Sequence, residues 1–333
     1  MSRQLSIILP CYRLDSFLPL ALTSVNSAAK GLDVECLIVA NNLNPAQIAR
    51  LTDIASGLFS IPFRVVNAGK TDLVGALNFG LTQADAVLIA RMDQDDVMIE
   101  SRLRKQVQFL ETNPDITLVG SNTEIINSDG EVIAIQRFPL TSEDISSQLK
   151  IGNCFAHPSV MFRRQDILNA GAYDARFTQA EDFALYVKLN DLGYKLANLD
   201  EPLLKYRMGE QQVSSISRDL QIATTRVIII LQWTKKITSG VLPVIPEKAE
   251  YFPDWLLEVE DYAKRCLGMN KAFYMEQRVV RKALAISFIA VARSSSTLAG
   301  RNWSDTVRYL YKSLKFSPFW TFFFITELIR GGK

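Results

Sequence analysis

The chain has 333 residues, 48% of them hydrophobic, with 37 Lys plus Arg against 35 Asp plus Glu. That is apolar material for one large domain or two ordinary ones, which excludes a disordered or fibrous protein, and a net charge of +2 gives no long-range attraction for nucleic acid. A single histidine, His157, excludes a multi-histidine zinc site and leaves a Ser-His-Asp triad only one place to be built.

In chain order, short apolar runs at Leu5–Leu9, Val34–Ala40, Pro62–Val66, Val87–Ala90 and Thr117–Val119 predict strands. Phe17–Ala29 and Arg102–Glu111 carry helical periodicity, the second with Leu103, Val107 and Leu110 on one face. Alternation of this kind predicts βαβ units and a mostly parallel sheet, closed by the breakers Asn113-Pro114 and Gly120. From about Asn122 the pattern loosens into a hairpin across Asn127–Gly130, a short strand Ser159–Phe162 and a helix Ala180–Leu192 ended by Gly193. Beyond Ser214, the stretches Asp219–Lys235, Trp255–Leu267, Lys271–Ala292 and Asp305–Lys315 read as helices. Four cysteines without CxxC spacing, Cys11, Cys36, Cys154 and Cys266, and an opening without signal-peptide character make a reducing cytoplasm the expected compartment.

The stretch IARMDQDDV, Ile89–Val97, ends an apolar run with three carboxylates in four positions. Carboxylates this close resist burial unless a cation or hydrogen-bond donors compensate them. Ligands of open parallel sheets sit beyond the carboxyl ends of the strands, where Asp93, Asp95 and Asp96 fall. Alternate carboxylates there can share Mg²⁺ or Mn²⁺ with substrate phosphates. The plainer alternative is a solvated acidic turn with Asp96 capping the next helix.

Several segments, in order, resemble family 2 glycosyltransferases of the GT-A fold. They are LSIILPCYRLDSFLPLALTSV from Leu5, ALNFGL at Ala76–Leu81, IARMDQDD at Ile89–Asp96 and RLRKQVQFLETNPDITLVGS at Arg102–Ser121. HPSVMFRR at His157–Arg164 and AEDFALYVKLNDLGYKLANLDEPLLKYR at Ala180–Arg207 complete the set. The resemblance covers about residues 3–210. It implies an α/β, Rossmann-like nucleotide-diphospho-sugar transferase domain over residues 1–214. Within it, 1–121 is the nucleotide-sugar-binding half and 122–214 the acceptor-side half; a mainly helical region follows over 215–333.

Carried across residue by residue, the resemblance makes Asp93-Gln94-Asp95 the DxD motif, with Asp93 on the donor ribose and Asp95 on the metal, Mn²⁺ or Mg²⁺. Glu181-Asp182 matches the ED motif, whose Asp is the catalytic base; without the resemblance the pair reads more readily as helix-start carboxylates facing the dipole. Pro10, Tyr12, Asn41, Asn42, Lys70 and Asn78 fall where the family binds its donor. His157 is a candidate for the acceptor or a phosphate. One departure is VANNLN, where the family commonly has VDDGS, so Asn41 and Asn42 stand at the base-reading position. The Q-x-x-R-W motif of processive synthases is absent, and Ile222–Leu231 is too short to span a bilayer.

The implied activity is inverting, metal-assisted transfer of a single sugar from a nucleotide sugar, expected to be a UDP-sugar, to a glycan or lipid-linked acceptor of bacterial surface polysaccharide. Two rivals are a catalytically weak nucleotide-sugar-binding protein and a metal-dependent nucleotidyltransferase. The aromatic, basic-flanked tail Phe316–Arg330 suits a membrane surface, and equally a homodimer partner or the catalytic domain, so the expected location is cytoplasmic with peripheral contact to the inner membrane.

Overall fold

The computed structural model describes residues 3–208 apart from 151 and 178, together with 225, 228 and 229. The helices expected after Ser214 and the aromatic tail lie outside the described residues. The described part contains a nine-stranded sheet in the order β3-β2-β1-β4-β8-β6-β9-β5, with β7 paired to β6.

Four parallel strands form its first half: β1 (Leu5–Cys11), β2 (Val34–Asn41), β3 (Phe63–Gly69) and β4 (Leu88–Arg91). β1 and β2 are buried along their whole length because helices cover both faces. Leu5, Ile7, Leu9 and Cys11 point into one core with Cys36, Ile38 and Ala40; this core also takes Leu18, Leu22 and Val25 of α1 (Leu18–Ala28). Leu51 and Ala55 of α2 (Pro45–Leu58) and Leu103, Val107 and Leu110 of α4 (Arg102–Thr112) fill the same layer. α3 (Leu73–Gln83) covers the opposite face, and Gly80 lets it come close: a Cβ there would stand 2.8 Å from the Ile8 Cγ2.

The sheet's second half is mixed rather than parallel. β6 (Ile116–Ile126) pairs parallel with β9 (Lys195–Arg207) and antiparallel with β8 (Met161–Arg163), which also runs antiparallel to β4. β6 then turns through Asn127–Gly130 into β7 (Val132–Gln136); the Asn127 carboxamide accepts from the Asp129 and Glu131 amides and Gly130 takes φ +87°. The two-residue β5 (Val97–Met98) pairs with β9. α5 (Ser142–Leu149), α6 (Arg164–Asn169) and α7 (Glu181–Asp191) fill the connections.

Two compact units divide the chain. The sheet, α1 to α6 and the end of α7 belong to one; the described residues of Lys150–Gly152 and Arg176–Ala184, including the start of α7, belong to the other. Among the described residues no helix is long and apolar enough to cross a membrane. Cys11, Cys36 and Cys154 are buried thiols, and burial pushes Cys11 up to about 12, which makes it inert.

Candidate active site

Strand order reverses between β1 and β4, and open α/β sheets bind ligands at such a switch point, beyond the carboxyl ends. β1 ends in Pro10 and Cys11 and runs into Tyr12 and Arg13; β4 ends at Arg91 and runs into Asp93-Gln-Asp-Asp96. The two loops are tied together by Gln94, whose Oε1 accepts from the Tyr12 amide at 2.9 Å and whose Nε2 donates to the Arg13 carbonyl at 3.0 Å. Gln94 is thus a buried crosslink, and Asp93 and Asp95 on either side of it are left half-buried.

Carboxylate oxygens of Asp93, Asp95 and Asp96 lie within 4.8 Å of one another. Asp93 meets the buried Arg91 at 2.5 Å, an ion pair without the alignment of a hydrogen bond that leaves the Arg91 Nε without an acceptor. Burial opposes the Arg91 charge, but Asp93 and Asp96 outweigh it and hold its pKa above the usual guanidinium value. Asp95 stands 3.8 Å from Arg13, whose Nε is engaged by Asp15 at 2.6 Å. Burial and the neighbouring Asp93 raise Asp95 to about 6, against the pull of Arg13. Asp96 is 1% exposed; its Oδ1 accepts the Arg207 amide at 2.8 Å while its Oδ2 has no partner. Burial, with Asp93 and Asp95 beside it, drives Asp96 well above the usual carboxylate range. An orphaned carboxylate oxygen in a set of oxygen donors only is the chemistry that Mg²⁺ or Mn²⁺ requires, so the residues fit a hard divalent cation.

Beside this cluster Tyr12, Arg13, Leu14, Asn44, Ala46, Gln47 and Arg50 line a cleft of about 420 Å³. Asn41 and Asn42 close β2: the Asn42 Nδ2 donates to the Thr71 carbonyl at 2.7 Å from a left-handed backbone (φ 60°), and the buried Asn41 Oδ1 has no partner. Lys70 is exposed in the same β3–α3 loop as Thr71. Asn78 lies on α3 and spends both ends of its amide on Tyr173, donating to its carbonyl at 2.8 Å and accepting its N–H at 3.1 Å. The Tyr173 hydroxyl meets the His157 Nε2 at 2.9 Å, and burial, then the charge of Arg91, pushes His157 well below its ordinary pKa. His157 is thus held toward its neutral form as a hydrogen-bonded ring.

Glu181 and Asp182 open α7 in the second unit; Glu181 is 6% exposed and Asp182 half-buried. Arg13, Asp15, Gln94 and Arg207 escape a reading of the sequence. Arg13 and Asp15 follow Tyr12 directly and Gln94 is the variable letter of its motif, so position was their one signal; Arg207 had none.

A sheet of this order, with an acid cluster of oxygen donors at its switch point, fits the GT-A fold. The chain matches the model "Glycosyl transferase family 2" over residues 6–171. It is 32% identical over 207 residues to the O-antigen biosynthesis glycosyltransferase WbnJ of Escherichia coli, covering 61% of this chain and 79% of that one. It is 33% identical over 155 residues to the amylovoran biosynthesis glycosyltransferase AmsE of Erwinia amylovora, covering 46% of this chain and 58% of that one. Among solved structures, S. aureus TarS 1–349 in complex with UDP has a TM-score of 0.54 at 14% identity, covering 99% of this chain and 92% of that one. The mannosyltransferase PcManGT from Pyrobaculum calidifontis in complex with GDP-Man and Mn²⁺ gives 0.53 at 12% identity, covering 97% and 83%. The chain belongs to glycosyltransferase family 2 and is a glycosyltransferase.

Proposed function

We propose that the protein transfers one sugar, with inversion at the anomeric carbon, from a uridine diphosphate sugar to a lipid-linked glycan of bacterial surface polysaccharide. The observation that carries the reading is the acid cluster at the switch point, three carboxylates within 4.8 Å with one oxygen unpartnered. Asp95 and Asp96 would hold the cation, and Asp93, already steadied by Arg91, would meet the donor ribose. Bound there, Mg²⁺ or Mn²⁺ supplies positive charge for the departing diphosphate.

The protein's own residues do the rest. The Gln94 crosslink fixes the acid turn against the Tyr12–Arg13 loop, so that donor and acids meet without reorganisation. Asp182, the more accessible acid of its pair, takes the proton of the attacking acceptor hydroxyl. Uracil is supported by an E. coli relative, 29% identical over 140 residues, named UDP-Gal:alpha-D-GlcNAc-diphosphoundecaprenol beta-1,3-galactosyltransferase; this chain covers 50% of its length. The same name supports the lipid-diphosphate acceptor. The unpartnered Asn41 Oδ1 can accept from a base imide. An acceptor of this kind puts the enzyme at the cytoplasmic face of the membrane as a peripheral protein.

The test is incubation with a panel of nucleotide sugars and Mn²⁺, with and without EDTA, following release of nucleoside diphosphate. The expected result is metal-dependent UDP release from one UDP-sugar, stimulated by a diphosphate-linked lipid acceptor. Tight donor binding with no release would favour a binding protein; pyrophosphate from a nucleoside triphosphate would favour a nucleotidyltransferase.

A further inference from the structure

α4 begins with a side chain that no metal or donor assignment requires. Arg102 is completely buried, and among the described residues no carboxylate forms an ion pair with it. Taking an unpaired guanidinium out of water costs several kcal/mol, so something else must be gained by placing it there. Its partners are neutral: Nη2 donates to the carbonyls of Arg91 at 2.9 Å and Val160 at 3.2 Å, Nε to the Gln106 Oε1 at 3.0 Å, and Nη1 lies 3.8 Å from the Met92 sulfur.

Those carbonyls are not an arbitrary pair. The β4–β8 ladder ends at Ala90 and Met161; Arg91 and Val160 are the next residues, where the strands part. The Val160 carbonyl already accepts the Arg91 amide at 3.0 Å, so the guanidinium completes a three-way junction as the backbone leaves the sheet for the acid turn. Gln106, one turn further along α4, anchors the other side through the carbonyls of Val119 and Ser159. The turn from Met92 to Ser101 is thereby closed at its base by the residue that follows it, held at its middle by Gln94, and held at its far side by Arg207 on the Asp95 carbonyl and Asp96 carboxylate. The planar fork reaches two carbonyls on different strands at once, a geometry a lysine cannot copy.

From this geometry we infer that Arg102 is a positioning residue of the reaction: it sets where β4 ends, and so where Arg91 holds Asp93 and where Asp95 and Asp96 meet a cation. The inference rests on the metal-site reading above. Its role is local, which separates it from an ordinary core contact. Burial, then the charge of Arg91, lowers Arg102 to about 9 against the pull of the Asp96 carboxylate, so it is charged at neutral pH.

The experiment compares Arg102→Met, Arg102→Lys and a control in the same helix, Leu110→Ala, which opens the core near the other end of α4. Two quantities are read on the full chain: Mn²⁺ affinity by calorimetry, and backbone hydrogen exchange over peptides spanning 88–99. Both Arg102 variants should lose about 10- to 100-fold in Mn²⁺ affinity, Lys less than Met, and exchange faster in 88–99. Leu110→Ala should melt lower yet keep parental affinity and parental exchange there. If Arg102→Met does not fold, Arg102→Lys carries the comparison. A folded Arg102 variant with parental affinity and parental exchange in 88–99 would overturn the inference. A parent that binds no Mn²⁺ would instead overturn the metal-site reading, and the exchange comparison would still decide the role of Arg102.

Discussion

Replacing Asp95 by Asn should move stability and activity in opposite directions. Asp95 titrates near 3.8 when free and near 6 in the fold, because burial and the charge of Asp93 disfavour its ionised form. A raised folded pKa means that the native state holds its proton longer than the unfolded chain. The associated stability is present below pH 4 and is lost as pH rises through 6. That rise corresponds to about 3 kcal/mol at most, net of the opposing pull of Arg13 at 3.8 Å. In EDTA at pH 8, Asp95→Asn should therefore be the more stable protein, by up to about 3 kcal/mol, and at pH 4 the two should converge. Adding Mn²⁺ at pH 8 should raise the melting temperature of the parent and leave the variant where it was. Turnover of the variant should fall about 10²- to 10³-fold, the scale of a lost electrostatic contact to the leaving group. Thermal melts at the two pH values, with and without Mn²⁺, and a diphosphate-release assay read all three. A variant less stable than the parent at pH 8 in EDTA, and still shifted by Mn²⁺, would refute both the strain in the cluster and the role of Asp95.

Asp182→Asn should leave donor and metal affinity near parental while transfer falls about 10²- to 10⁴-fold, and Glu181→Gln should cost less, since adjacent helical residues point about 100° apart; calorimetry beside product formation separates the two, and a dead Glu181→Gln with an active Asp182→Asn would reverse the assignment. His157 has its folded pKa below the unfolded 6.5, so its contribution to stability is present above pH 6.5 and lost as pH falls below it. His157→Gln should accordingly narrow its stability gap to the parent between pH 7 and pH 5, by at most about 1.4 kcal/mol per pH unit, whereas a gap of constant size would mean the ring is not held neutral.

The parallel half of the sheet was legible because strands buried on both faces are written as unbroken apolar runs: CLIVA needs no partner to be recognised. The second half was not. β9 is the sheet's longest strand, yet it reads KLANLDEPLLKYR, with charges and a proline where register shifts against β6 interrupt the ladder, and its motif was recognisable only through resemblance. The site divides in the same way. The three aspartates announce themselves by spacing, and structure adds how each is compensated, which depends on residues far away in sequence: Arg13 for Asp95, Arg207 for Asp96. Asn78 and His157, expected at the donor and at the acceptor or a phosphate, are each engaged by Tyr173, whose part in the arrangement nothing in its local sequence signals.

Unequal compensation bears on the division of labour among the acids. Asp93 already has a buried guanidinium at 2.5 Å, so a cation would add least to it. Asp96 is fixed by the Arg207 amide and sealed from solvent, and offers one oxygen in a direction the fold has set. Asp95 has only a distant share of an arginine whose Nε is already taken by Asp15, and it keeps 18% of its side chain open to solvent. An incoming divalent ion would relieve the most repulsion where compensation is poorest and access remains, which is at Asp95. That ordering supports Asp95 as the principal ligand and Asp93 as the acid left free for a neutral partner such as a sugar hydroxyl. It also explains why the turn is braced by Gln94, Arg102 and Arg207: three carboxylates that repel one another would spread apart without a frame, and a spread cluster could not hold a small cation.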